Sequence, residues 1–99
     1  MIALDTNLLV YAHREDSPHH LAAAQALRAA VGAPGGCAIP WPCLHEFLAV
    51  VTHPRIYDPP TPVVTALAAV RALAEAPSVH LLGEGPGHVE TLARLLESG

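Results

Sequence analysis

The chain has 99 residues, a formal net charge of −4, 52% hydrophobic and 14% charged side chains. That length accommodates one small domain, residues 1–99, and the apolar fraction excludes a disordered chain. No apolar run approaches the ~18 residues of a membrane span, and no basic segment precedes an apolar N-terminal stretch, so a cytoplasmic protein is expected.

Lysine is absent; the basic residues are Arg14, Arg28, Arg55, Arg71 and Arg94. A Walker-type phosphate loop and a Schiff-base enzyme are thereby excluded, since each needs a lysine amine. The arginines are scattered, so no basic stripe marks a nucleic-acid surface, and a negative protein attracts RNA only where bound cations reverse the local sign. The spacing of Cys37 and Cys43 fits neither a zinc pair nor a redox motif, and both read as reduced, packed thiols.

Met1 to Leu4 reads as a short buried strand. Asp5, Thr6 and Asn7 are helix-capping residues, and Leu8, Leu9 and Ala12 follow at helical spacing. Ser17-Pro18 predicts a second helix start, with Leu21, Ala24, Leu27 and Val31 on its apolar face and a stop at Gly32. After a turn over 33–36, Cys37-Ala38-Ile39 predicts a second strand. Pro42 opens a helix striped by Leu44, Phe47, Leu48 and Val51, ending near His53-Pro54. Thr61-Pro62 starts another, with Val63, Leu67, Val70 and Ala74 inward. Val79 to Leu82 is a third strand candidate. A turn over 83–87 then leads to a helix carrying Val89, Leu92, Ala93 and Leu96. Strands alternating with helices imply right-handed crossovers and a parallel sheet covered on both faces.

In open parallel sheets, ligands collect at the carboxyl ends of the strands. Asp5 falls there on the first strand, and Glu46 lies about one turn into the helix after the second. Converging carboxylates suit hard cations such as Mg²⁺ or Mn²⁺. The plainer alternatives are an Asp5 that only caps its helix and a Glu46 on a solvated face, unless Ala49 and Val50 bury that side. Other constellations fail: His45-Glu46 begins H-E-x-x-H, but position 49 is alanine. Gly83 and Gly85 lack the third glycine of a dinucleotide fingerprint, which His88 replaces. No nucleophile elbow surrounds Ser17, Ser78 or Ser98. The histidines share no metal-ligand spacing and read as surface or capping groups. Trp41, between two prolines, reads as a packing anchor, with base stacking as the alternative.

Taken in order, Met1-Ile2-Ala3-Leu4-Asp5-Thr6-Asn7-Leu8-Leu9-Val10-Tyr11-Ala12 resembles the opening of a PIN-domain protein, in particular the VapC-type toxins of toxin–antitoxin pairs. The resemblance continues through Trp41-Pro42-Cys43-Leu44-His45-Glu46-Phe47-Leu48 and Val51-Thr52-His53-Pro54-Arg55-Ile56-Tyr57. It implies an α/β fold, a PIN-like (Rossmann-like) three-layer α/β/α sandwich around a parallel sheet. It implies a divalent-metal-dependent endoribonuclease with Mg²⁺ or Mn²⁺ as cofactor. Asp5 and Glu46 would be the catalytic, metal-site acids, with Thr6 and Asn7 as supporting polar residues. The implied partners are an RNA substrate, a cognate VapB-like antitoxin and a second copy in a homodimer. Family members carry further acids in later segments that this chain does not match, and the domain is expected to stop before the last strands. The alternative is therefore a catalytically inactive PIN fragment serving only as an antitoxin-binding or dimerisation module.

Overall fold

The structure, a computed structural model, describes residues 2–83. In chain order it contains β1 (Ile2–Ala3), α1 (Thr6–His13), α2 (His20–Gly32), β2 (Cys37–Pro40), α3 (Trp41–Val51), α4 (Val63–Glu75) and β3 (Val79–Leu82). The three strands are parallel in the order β1-β2-β3, with Ala3 beside Ala38 and Cys37 beside Val79. Both crossovers step the same way across the sheet, and their helices meet where α1 packs against α3. A single core forms beneath them, joining Leu9 of α1, Ile39 of β2, Leu44, Phe47, Leu48 and Val51 of α3, Val70 of α4 and Val79 of β3.

Most elements match the periodicity. α3 carries the predicted stripe, all four residues buried, and Trp41 anchors its start at 3% exposure, which removes base stacking. Val79 to Leu82 pairs as predicted. In α4, Ala66, Leu67 and Val70 are buried, while Val63 and Ala74 are only half-buried.

The second helix departs from expectation. α2 begins at His20 rather than at Ser17-Pro18, whose place is a turn in which the Ser17 hydroxyl accepts from the His19 amide at 3.1 Å. Its inward face is Ala23, Leu27, Ala30 and Val31, and Leu21 is 74% exposed. In an alanine-rich helix the hydrophobic contrast between faces is small, so one leucine misplaces the stripe. The predicted helix over Val89–Leu96, and Glu84, Glu90 and Glu97, lie outside the described residues.

Tight packing fixes the turn before β2. Gly36 has φ of 74°, and a Cβ there would lie 1.9 Å from the Ser78 carbonyl oxygen. That oxygen accepts from the Cys37 amide at 2.9 Å, so glycine lets two chain segments touch directly where the sheet begins. Cys37 and Cys43 are both free thiols; Cys37 is fully buried and Cys43 half-buried. Burial pushes the Cys37 thiol above its ordinary pKa, keeping it neutral.

Candidate functional site

The ladder between β1 and β2 extends one residue past β1, because the Leu4 amide donates to the Ala38 carbonyl at 2.8 Å. Asp5 is the next residue. Its extended backbone (φ −100°, ψ 172°) turns the chain into α1, and its Oδ1 accepts from the Leu8 amide at 2.9 Å. The capping reading of Asp5 therefore holds. Capping engages one carboxylate oxygen, and the exposed side chain retains a second that this bond does not use. Thr6 and Asn7 form the first turn of α1 immediately behind it.

Glu46 reaches the same end of the sheet by another route. β2 passes directly into α3 at Trp41, with Pro42 in the first turn, where its missing amide costs no helical bond. Glu46 follows in the second turn, on the side opposite the buried stripe. It is exposed, as is Ala49, while Val50 is half-buried; burial of the Glu46 side is thus excluded. α1 and α3 pack against each other, so the two acids are carried by neighbouring helices that both start from carboxyl ends of adjacent parallel strands. Among the described residues, no group of three or more His, Cys, Asp or Glu side chains is placed to hold a metal ion.

A polar cluster lies elsewhere among the described residues, at the far end of α1. Arg14 donates from Nε and Nη2 to the two Asp16 carboxylate oxygens at 2.9 and 2.5 Å and from Nη1 to the Thr61 hydroxyl at 3.2 Å. Its guanidinium sits 4.3 Å from the centre of the Tyr57 ring. The hydrogen bond from Arg14 holds the Asp16 carboxyl below its ordinary pKa. Sequence reading gives no sign of this cluster, because Arg14 and Thr61 lie on segments separated by two helices and a strand. Two histidines fit the capping or surface reading: His20 Nδ1 contacts the Tyr11 carbonyl oxygen at 3.0 Å, and the exposed His53 accepts at Nδ1 from the Arg55 amide at 3.1 Å, whereas His13 is half-buried.

Parallel strands and helical crossovers define an α/β protein, with the exposed Asp5 just past one strand end and the exposed Glu46 in the helix that leaves the next. The chain belongs to the PIN domain family, whose pattern it matches over residues 2–99. It is 34% identical to the ribonuclease VapC33 of Mycobacterium tuberculosis strain H37Rv over 97 residues, 98% of this chain and 68% of that protein. It is 31% identical to the ribonuclease VapC31 of the same strain over the same lengths. The VapC ribonuclease Mb2897 of Mycobacterium bovis is 35% identical over 88 residues, 89% of this chain and 60% of its own.

Proposed function

We propose that this PIN domain is the metal-dependent endoribonuclease of a toxin–antitoxin pair, cleaving RNA phosphodiesters. The observation that carries the reading is the position of Asp5 and Glu46, exposed acids on helices that leave the carboxyl ends of adjacent strands, in a chain similar to VapC ribonucleases. Their donor set is carboxylate oxygen alone, which fits Mg²⁺ or Mn²⁺. Asp5 and Glu46 would hold the ion, and Thr6 and Asn7 would supply polar support beside Asp5. When bound, the ion offsets the charge of the attacked phosphodiester and activates water. A chain of net charge −4 repels RNA over most of its surface, so substrate approach depends on cation at this rim. The remaining parts of the reading are a VapB-like antitoxin as cognate partner, homodimerisation and a cytoplasmic setting.

The absence of a three-residue metal group among the described residues favours one second reading, an inactive antitoxin-binding or dimerisation module. Incubation with a mixed single-stranded RNA pool, with Mg²⁺ or Mn²⁺ and then with chelator, separates the two. Chelator-sensitive cleavage that is lost in both Asp5→Asn and Glu46→Gln supports the ribonuclease; no cleavage under any metal supports the module.

A further inference from the structure

His13 is the last residue of α1, and its ring lies between two cavities. On one side is an apolar cleft of about 360 Å³, walled by Leu9, Leu27, Phe47 and Leu73 among others. On the other is an open groove of about 470 Å³ in which Arg14, Asp16 and Thr61 lie beside Pro59, Pro60 and Pro62. The ring meets Phe47 edge-on, with centroids 5.3 Å apart, and its Nε2 is 3.2 Å from the Thr61 hydroxyl.

That hydroxyl is shared with a neighbour. Arg14 can only donate, so its Nη1 presents hydrogen to the Thr61 oxygen. The Thr61 hydroxyl keeps its own proton and a second lone pair, and an unprotonated His13 Nε2 can accept that proton. Thr61 is buried at 6% exposure, and its amide donates to the Val51 carbonyl at 2.7 Å. The chain from Arg14 through Thr61 to His13 thus ties the end of α1 to the start of α4.

We propose that His13 is a pH-sensitive latch, closing the segment from His53 to Thr61 onto α1 when neutral and releasing it when protonated. An added proton would end acceptance at Nε2 and place a second cation beside the guanidinium, both 3.2 Å from one hydroxyl oxygen. The groups facing the ring set the balance. Arg14 opposes the charge. Glu15 and Asp16, the acids of the groove, are exposed, and Asp16 is already engaged by Arg14. α2, α3 and α4 present leucine, valine, phenylalanine, alanine and threonine at the two cavities and no titratable side chain. Burial first, and Arg14 second, lower the His13 pKa from its ordinary 6.5.

The test is an NMR titration of the whole isotope-labelled chain from pH 8 to 5, following the His13 ring and the Thr61 and Tyr57 amides. The expected result is a His13 midpoint below 6.5 that the Thr61 and Tyr57 amides share. In Thr61→Val the His13 midpoint should move up, because the bond favouring the neutral ring is gone. In His13→Gln the two amides should show no transition over that range. A wild-type His13 midpoint at or above 6.5, amides that do not follow it, an unmoved midpoint in Thr61→Val, or an amide transition persisting in His13→Gln overturns the latch. If either variant fails to fold, the wild-type midpoint and its sharing by the two amides decide the matter.

Discussion

Asp5 caps α1 and is also the proposed cation ligand, and one substitution separates the two roles. Asparagine caps helices about as well as aspartate, so Asp5→Asn should leave stability within about 0.5 kcal/mol while removing the anionic oxygen a cation needs. Expected are an unchanged urea midpoint and loss of metal-dependent RNA cleavage; a large fall in the midpoint would mean that the cap alone explains the residue. Gly36 is constrained more severely. A methyl group there meets the Ser78 carbonyl at a distance no packing allows, in a left-handed conformation that costs a non-glycine residue roughly 1–3 kcal/mol before any clash. Gly36→Ala should lower the denaturant midpoint by at least that equivalent. The cap was legible in the sequence because it acts within three residues, and Glu46 could be placed by counting from a strand end. His13 was not legible: its partner Thr61 is 48 positions away, and nothing local distinguishes it from a surface histidine.

Among the elements, α3 supplies more of the core than any other described element and was the most readable, since bulky residues recur at helical spacing at 44, 47, 48 and 51. Phe47→Ala should cost about 3–5 kcal/mol, comparable to the whole stability of many small domains, and leave little cooperative unfolding signal in calorimetry. α2 gives the opposite outcome. Leu21 points to solvent, so Leu21→Ser should change stability by about 0.5 kcal/mol or less, whereas the sequence pattern alone would forecast a core loss. Alanine is helix-forming on every face, so α2 was legible as a helix while its rotation about its own axis was not. Thr61 was likewise read as a helix cap, but α4 has no side-chain cap and the Thr61 hydroxyl serves the Arg14 and His13 bonds instead.

At the scale of the molecule, the alternation of strand and helix was enough to give a parallel sheet, because crossover connections leave few other solutions. The native state disfavours the charged form of His13, so the unfolded chain binds its proton more readily. The His13 contribution to stability is therefore fully present above 6.5 and is lost as pH falls through that value toward the lower native one. Urea midpoints measured at stepwise lower pH should decline below 6.5, and His13→Gln should remove that component of the decline while leaving the part due to carboxylates at lower pH.

The strand order β1-β2-β3 also bears on how the protein is made. Each of the described strands lies beside its immediate predecessor in the chain, so a ribosome delivers β2 and then β3 to a partner that has already emerged. β1, α1, α2 and β2 can assemble while α4 is still being translated, and β3 then adds to a waiting template. A fold whose central strand came last would have to hold open a gap during synthesis; the three described strands add outward, one crossover at a time.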